Sequence, residues 1–327
     1  MIGASAGGVE ALQRVVAGLP EDLGAPVLIV LHIPAFSASN LPAILSRAGP
    51  LEAHHAVDHE PLEPDRIYVA PPDRHLLVTR AAVRVVRGPH ENNARPAIDP
   101  LFRSAALAFG PEAIGVVLTG TMDDGAAGVR ALAARGGTVL VQDPEDALYP
   151  AMPINAIAAE DPEYVAPVAE IAGLVCRLVR EPVTTTNESE EDQMDEELRL
   201  EQSFAAFAPG TINENGTTGR PAPFGCPTCG GSLWEVPDDA MLRFRCRVGH
   251  AFGGETLMEA QAEQMDEALW TALRAMEERG SLARRLAERM RTDHPRRANR
   301  FAASAEEADR HAKVLRRLLL AAEVPQV

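Results

Sequence analysis

The first part of the chain alternates between short apolar runs and longer segments in which apolar residues recur every three or four positions. Four runs predict strands: VLIVLH (27–32), IYVA (67–70), IGVVLTG (114–120) and TVLVQD (138–143). Between them GGVEALQRVVAGL, LPAILSRAG, PLFRSAALAF and AAGVRALAARGG have the spacing of amphipathic helices. This alternation is typical of a parallel sheet with helices on both faces. Residues 1–183 are therefore predicted to form a doubly wound, mostly parallel α/β domain.

Residues 184–222 break this pattern. The segment has few periodic apolar residues, is rich in Thr, Glu, Asn, Gly and Pro, and carries nine acidic side chains against two basic ones. Because such a composition buries too little apolar surface to fold alone, we interpret the segment as an acidic flexible linker. An acidic peptide that docks on a basic partner is the alternative.

A helical pattern returns in residues 253–327, where leucines and methionines form apolar stripes on either side of Asp293-His294-Pro295. The stripes predict a hairpin or small bundle of two or three antiparallel helices. Two roles are compatible with this periodicity: a hairpin that packs only on itself, or a docking surface for a receptor or a separate regulator.

Composition narrows the class of protein. The chain has 327 residues, 46% of them hydrophobic and 24% charged, and no apolar run approaches the roughly 20 residues that cross a bilayer. The N-terminus lacks the features of a secretory signal, so we expect a cytoplasmic protein without membrane insertion. The net charge of −16 argues against general nucleic-acid binding. Four cysteines are too few for a disulfide framework, and Cys176, in an apolar stretch, is predicted to lie in the core.

Candidate functional residues lie where the predicted strands end, since ligands of doubly wound sheets bind at the carboxyl ends of the strands. Ser5 lies in Gly3-Ala4-Ser5-Ala6-Gly7, a G-x-S-x-G pattern that allows a sharp strand-to-helix turn with backbone N–H groups beside the hydroxyl. A tight glycine-rich turn is one alternative. A dinucleotide cradle is another, but it needs a glycine in place of Ser5 and an acidic residue at the end of the second strand.

The second strand ends instead in His32, and an acidic pair, Asp123-Asp124, follows the strand at 114–120. Taken separately, the histidine could be an ordinary rim residue and one aspartate could cap the next helix. Taken together, Ser5, His32 and Asp124 meet at one sheet edge in the pattern of a Ser-His-Asp triad.

Six segments in order, GASAGG, LHIP, VAPPDRHL, RPAIDPLFRSAA, VLTGTMDDGAAG and AMPINAI, resemble the catalytic domain of the CheB family, the protein-glutamate methylesterases of bacterial chemotaxis. The resemblance covers residues 1–183 and implies a Rossmann-like fold. It also implies hydrolysis of glutamate methyl esters on methyl-accepting chemotaxis receptors, with deamidation of receptor glutamines as a side activity and no cofactor for catalysis. By this resemblance Ser5 is the nucleophile, His32 the general base and Asp124 the orienting carboxylate.

The same resemblance suggests where the rest of the site lies. We expect the oxyanion donors to be the backbone N–H groups of Ala6 and of Thr121 or Met122. Arg95 and Met152 are assigned to the rim that controls substrate access.

Three features depart from the family pattern. Only Met1 and Ile2 precede Gly3, so the first strand is expected to be clipped or to lack its innermost part. TGTMDDG stands where many relatives have TGMGNDG, which changes the residue beside the expected oxyanion hole. No receiver domain precedes Ser5, so we expect control in trans through the C-terminal part of the chain.

That C-terminal part contains Cys226-Pro-Thr-Cys229 and Cys246-Arg-Val-Gly-His250, with 16 residues between the two halves. Two short turns that each bring two ligands together predict a tetrahedral zinc site, and residues 223–252 are interpreted as a zinc ribbon. With four protein ligands the zinc is expected to be structural. As the ribbon is predicted to stand apart from the catalytic domain, the esterase should survive loss of the metal.

Arginines at 243, 245 and 247 surround Cys246, but residues 223–327 hold 16 basic and 16 acidic side chains, so contact with protein is favoured over nucleic acid. Two classes of function remain: an active methylesterase, and a catalytically silent signalling scaffold that works through the ribbon and helices. The complete triad favours the enzyme.

Overall fold

The computed structural model describes residues 1–36, 38–183, 192–208, 219–238 and 240–322. The chain divides into two compact units, Met1–Leu257 and Met258–Val327. No helix in the described ranges is both long and apolar enough to cross a membrane.

A seven-stranded parallel sheet forms the centre of the first unit. The first nine strands of the chain are β1 (Ile2–Ala4), β2 (Val27–Leu31), β3 (Glu52–His55), β4 (Arg66–Val69), β5 (His75–Val78), β6 (Val83–Val86), β7 (Ile114–Val117), β8 (Thr138–Gln142) and β9 (Tyr164–Ala166). The sheet order is β3-β4-β2-β1-β7-β8-β9, while β5 and β6 form a separate antiparallel hairpin. The short β1 lies between β2 and β7, so Ser5, which follows it, emerges at the middle of the sheet edge.

Six helices cover the two faces of this sheet: α1 (Gly8–Ala17), α2 (Leu41–Ala48), α3 (Ile98–Phe109), α4 (Ala126–Ala134), α5 (Ala151–Ala159) and α6 (Val168–Arg180). On one face α1, α2 and α6 bury residues such as Leu12, Leu45 and Ile171. On the other, α3, α4 and α5 contribute Phe102, Leu132 and Ala156, respectively, to a second core. Burying one large apolar side chain stabilises a fold by about 1.5–3 kcal/mol, so both layers are anchored by their apolar stripes. The predicted doubly wound α/β fold is confirmed.

The prediction of a flexible linker over 184–222 is wrong for its middle part. Residues 184–191 and 209–218 lie outside the described residues, but α7 (Asp192–Ala205) forms between them and packs against α3. Phe204 is 8% exposed and Ala205 1%. A few apolar residues near the end of this acidic segment provide the contact surface, which the average composition of the segment conceals.

Glu201 on α7 explains how an acidic helix is held here. Its carboxylate accepts hydrogen bonds from Arg243 at 2.9 and 2.5 Å and lies 3.6 Å from Nε of Arg103 and 3.5 Å from Arg245. Burial alone would raise the pKa of Glu201, but these guanidinium groups lower it below its usual value. The carboxylate is therefore ionised and paired at neutral pH.

A small antiparallel sheet follows, with strands β10 (Arg220–Gly225), β11 (Ser232–Val236), β12 (Arg243–Cys246) and β13 (Ala251–Gly253). It belongs to the first compact unit, which runs to Leu257. The predicted boundaries at 183 and 223 therefore do not separate independent units, whereas the division after Leu257 lies close to the predicted boundary at 253. The small sheet packs against residues 90–92 because ion pairs and backbone hydrogen bonds join them, and such contacts leave no periodic signal in the sequence.

Two long helices complete the chain, α8 (Gly254–Met290) and α9 (Pro295–Ala322). In the second unit Leu273 on α8 packs with Ala312 and Leu319 on α9, and Arg284 pairs with Asp309 at 2.6 Å. The break falls at the predicted place, with Pro295 as the first residue of α9, where its missing N–H is not needed. The predicted helical region is confirmed.

The docked position of α7 can be tested at Gly88. A methyl group at this position would lie 1.9 Å from the backbone oxygen of Ala205, so Gly88→Ala should displace the end of α7 and make residues 192–208 more susceptible to limited proteolysis. Gly173→Ala is the matched control. Gly173 is exposed on α6 with no atom within 4 Å of the added methyl group, so this change should stabilise the protein by about 0.5–1 kcal/mol. Unchanged protection of α7 in Gly88→Ala would contradict the packing described.

Candidate active site

Ser5 lies in the turn between β1 and α1. Its N–H donates to the carbonyl of Thr119 at 3.0 Å, and its carbonyl accepts from Gly8 at 2.9 Å. Gly7 has a left-handed backbone with φ of 72°, and a side chain there would meet Leu148 at 3.1 Å. The turn therefore requires glycine at position 7, as the G-x-S-x-G pattern predicts, and it places the hydroxyl at the sheet edge.

His32 links Ser5 to Asp124. Nδ1 of the imidazole lies 3.1 Å from Oγ of Ser5, and Nε2 lies 2.6 Å from Oδ2 of Asp124. Since a carboxylate only accepts hydrogen bonds, the neutral ring carries its proton on Nε2 and leaves the lone pair of Nδ1 facing the hydroxyl. The side chain of His32 is 20% exposed and that of Asp124 only 2%, so the chain of hydrogen bonds runs from the surface into the core.

Asp124 is surrounded by hydrogen-bond donors. Besides His32 these are the backbone N–H groups of Ile98 (2.6 Å), Asp99 (3.2 Å) and Gly125 (3.0 Å) and the side-chain amide of Asn92 (2.8 Å). Burial alone would raise the pKa of Asp124, but the hydrogen bond from His32 and those from the other donors lower it. Asp124 therefore stays ionised and can hold one orientation of the imidazole.

Asp99 is a buried carboxylate beside Asp124 that we did not select from the sequence. One oxygen accepts hydrogen bonds from the N–H groups of Gly125 (3.1 Å) and Gly128 (2.7 Å), and the other accepts from the amide of Asn92 (2.8 Å). Burial and the neighbouring charge of Asp124 raise the pKa of Asp99 to about 7. The segment RPAIDP contains it, but nothing in that pattern distinguishes a buried aspartate from a helix cap.

A cavity of about 380 Å³ opens over this arrangement. Its lining includes the side chains of the triad, together with Asn92, Arg95, Thr121, Met122 and Thr256. The backbone N–H groups of Ala6, Thr121 and Met122 donate to no other residue within the described ranges, so they are free to bind a negatively charged oxygen.

The two residues assigned to the rim differ in position. Arg95 lines the cavity, and its guanidinium is held by hydrogen bonds to Asp73 and to the carbonyl of Gly88. Met152 does not lie at the rim. It is 1% exposed, and its sulfur packs against Gly120 beneath the site, where it supports the turn that holds Ser5.

Asp123 also departs from expectation. The sequence allowed one aspartate of the pair to cap the helix that follows, but Asp123 is 6% exposed and caps α8 instead. Its carboxylate accepts hydrogen bonds from the N–H of Glu255 at 3.1 Å and from the hydroxyl of Thr256. Helix α4 begins after Gly125, and the side chain that accepts from its first turn is Asp99, through the N–H of Gly128, rather than Asp123.

The four predicted metal ligands lie together. Their ligand atoms are all within 4.8 Å of one another, with Cys229 Sγ and Cys246 Sγ 3.8 Å apart and His250 Nδ1 3.7 Å from Cys226 Sγ. A tetrahedron with zinc–sulfur bonds of about 2.3 Å has an edge of about 3.8 Å. The spacing of the donor atoms therefore fits a metal ion, and the left-handed residues Gly230 and Gly249 close the two turns.

The raised pKa of Asp99 predicts a pH dependence. In the unfolded chain this group ionises near pH 4, whereas in the folded protein it keeps its proton until about pH 7. The stability that it contributes is thus fully present below pH 4 and is lost as the pH rises through 7. The unfolding midpoint of the wild type relative to that of Asp99→Asn should fall between pH 4 and 7, and titrating groups distant from this pair cancel in the difference. A flat difference would contradict the proton on Asp99.

Comparisons with known proteins agree with the geometry. The family model described as CheB methylesterase matches residues 1–175. A Leptospira interrogans protein, provisionally named protein-glutamate methylesterase/protein-glutamine glutaminase, is 37% identical over 179 residues, which are 54% of this chain and 93% of that protein. A Nocardioides protein with the same two activities in its name is 39% identical over 181 residues, and the match spans 49% of its length.

Among solved structures, the Thermotoga maritima CheB methylesterase catalytic domain superposes with a TM-score of 0.52 at 32% identity. The match covers 54% of this chain and 96% of that domain. The matched family model agrees with this fold and with the segments around Ser5, His32 and Asp124. The chain belongs to the CheB methylesterase family.

Proposed function

We propose that this protein is a protein-glutamate methylesterase that hydrolyses glutamate methyl esters on methyl-accepting chemotaxis receptors. The observation that carries the proposal is the continuous hydrogen-bonded chain Ser5–His32–Asp124, open to a cavity at the sheet edge. Family membership supports the reaction class, and the names of the relatives add glutamine deamidation as a second activity of the same site.

The first half of the reaction forms an acyl-enzyme. Nδ1 of His32 takes the proton of the Ser5 hydroxyl as Oγ attacks the ester carbonyl. The negative charge on the carbonyl oxygen is stabilised by the backbone N–H of Ala6 and by that of Thr121 or Met122. Asp124 stabilises the imidazolium through Nε2, and His32 then protonates the departing methoxide, which leaves as methanol.

The second half releases the product. A water molecule loses a proton to His32 and attacks the acyl carbonyl, and Ser5 recovers its proton as glutamate is freed. With a glutamine side chain the same steps expel ammonia in place of methanol. All of these proton transfers use side chains of this chain, so the mechanism requires no catalytic cofactor.

The alternative of a silent scaffold is less well supported. A protein that had lost catalysis would have no need to keep the carboxylate ionised, the imidazole oriented and the oxyanion donors free at one cavity. We place the reaction in the cytoplasm, where the four cysteines, all unpaired in the structure, would remain reduced.

We also propose that Cys226, Cys229, Cys246 and His250 hold a zinc ion. Three thiolates and one imidazole form a donor set that zinc prefers, and four protein ligands complete a tetrahedron, as in structural sites. When bound, the ion would cross-link the turns at 226–229 and 246–250.

The catalytic roles predict a graded loss of activity. Ser5→Ala and His32→Ala should each lower the release of methanol from methylated receptor by several orders of magnitude, about 10⁴–10⁶-fold, and the double variant should be no worse because the residues act together. Asp124→Asn should lose less, since the ring can still accept a proton. Ser281→Ala, which changes an exposed serine on α8, should retain full activity. Normal methanol release by folded Ser5→Ala would exclude this mechanism.

The metal assignment predicts one zinc per chain in protein purified without chelators, as measured by elemental analysis. Cys229→Ser should lower the zinc content, because oxygen is a poorer ligand than thiolate. Cys176→Ser should not, since this half-buried cysteine lies on α6. Metal-free protein with all four ligands intact would exclude the site.

A further inference from the structure

The ribbon is joined to the catalytic residues through its last strand. Ala251, which directly follows His250, accepts a hydrogen bond from the N–H of Asn92 at 2.8 Å and donates to the carbonyl of His90 at 3.2 Å. Residues 90–92 thus pair with the free edge of β13, whose other edge pairs with β12. The backbone of Asn92 is therefore hydrogen-bonded directly to β13.

The side chain of Asn92 connects this edge to Asp124. Its amide nitrogen donates to Asp124 Oδ1 and Asp99 Oδ2, both at 2.8 Å, while its oxygen accepts from the N–H of Gly253 at 2.9 Å. Asn92 is 9% exposed and has a left-handed backbone with φ of 50°. One side chain therefore spans from the ribbon backbone to the carboxylate that orients His32.

A second link runs through Asp123, next to Asp124 in the chain. Its carboxylate holds the start of α8 through Glu255 and Thr256, and it packs directly on Gly253. A methyl group on Gly253 would lie 2.0 Å from Oδ2 of Asp123. The carboxylate occupies the volume that any side chain at 253 would need.

Buried charges make the contact difficult to open. Arg103 is bound through both oxygens of Glu91, at 2.8 and 2.7 Å, and Arg245 of β12 lies 3.5 Å from Glu91. The side chains of Glu91 and Arg103 are each only 2% exposed. If the ribbon moved away, the buried carboxylate of Glu91 would lose its ion pair with Arg245, which is energetically unfavourable. This ion pair therefore keeps the ribbon packed against the residues that precede Asn92.

We infer that Asn92 and Asp123 are positioning residues that couple the metal ribbon to Asp124, so that the ribbon is a working part of the esterase site. The metal ligands Cys246 and His250 end β12 and precede β13, so the ion would fix the register of both strands. Loss of the ion would make the position of Gly253 less fixed. Through Asn92 and Asp123 it would also make the position of Asp124 less fixed. This inference rests on the proposed function and reverses the expectation that the esterase is indifferent to the metal.

Two adjacent glycines provide a matched test in the full-length protein. Gly253→Ala forces Asp123 to move and should lower kcat for a glutamyl γ-methyl ester peptide about 10–100-fold, with KM changed less than about twofold, because orientation of the triad is lost while the cavity remains. Gly254→Ala adds the same methyl group where the nearest atom is the Cβ of Leu242 at 3.5 Å, an ordinary contact. This control should keep the wild-type kcat.

A second pair of variants covers the case in which Gly253→Ala does not fold. Thr256→Val keeps the volume of the side chain but removes the hydroxyl that binds Asp123, so it should lower kcat in the same direction. Thr256→Ser restores a hydroxyl and should recover most of that loss. Equal kcat for the valine and serine variants would overturn the role of Asp123.

Hydrogen exchange provides a readout that is independent of activity. The N–H groups of Ile98 and Gly125 donate to Asp124, so their exchange should quicken severalfold when the zinc-loaded protein is treated with a chelator, and likewise in Gly253→Ala. Unchanged exchange at both amides together with unchanged kcat after complete metal removal would overturn the coupling. If the amides respond but the wild type releases no methanol from the peptide, the coupling stands and the proposed function fails.

Discussion

The buried carboxylate of Asp124 is the group around which the first unit is organised. An ionised group with 2% of its side chain exposed is stable only if donors replace the water that it has lost, and here the donors come from four parts of the fold. His32 arrives from β2, Ile98 from the start of α3, Gly125 from the start of α4 and Asn92 from the loop that contacts the ribbon. The charge of Asp124 is therefore satisfied only when the sheet edge, the starts of α3 and α4, and the ribbon are all in place.

Asp99 shows the cost of this arrangement. A second charge beside Asp124, on a carboxylate that shares Gly125 and Asn92 with it, is unfavourable. Asp124 is therefore ionised, while Asp99 keeps its proton up to about pH 7. Asn92 suits this position because its amide donates to both carboxylates while its oxygen remains available to Gly253. A side chain that only donates or only accepts could not satisfy all three neighbours.

Much of the fold and the three triad residues could be predicted from local patterns. The strands at 27–31, 66–69, 114–117 and 138–142 are runs of β-branched residues buried on both sides, and Ser5, His32 and Asp124 each follow a strand of the same sheet. β1 and β9 have only three residues, which is too few to show a period, and β3 (EAHH) contains no apolar run. Asn92, Asp99 and the docking of α7 and the ribbon depend on contacts between residues far apart in the chain. The acidic composition of 184–222 predicted a solvated linker. Composition alone does not show that Glu201 pairs with three arginines in the folded protein.

The contact between Gly253 and Asp123 also constrains how this protein can diverge. Since the carboxylate fills the space of a side chain at 253, enlarging position 253 first produces a steric clash with Asp123. Shrinking position 123 first leaves a cavity at the start of α8 until position 253 is enlarged. Substitutions at these two sites, 130 residues apart, should therefore be inherited as a pair. Homologues that carry a ribbon of this kind would show the linkage as covariation, whereas homologues without the ribbon leave position 123 free to vary.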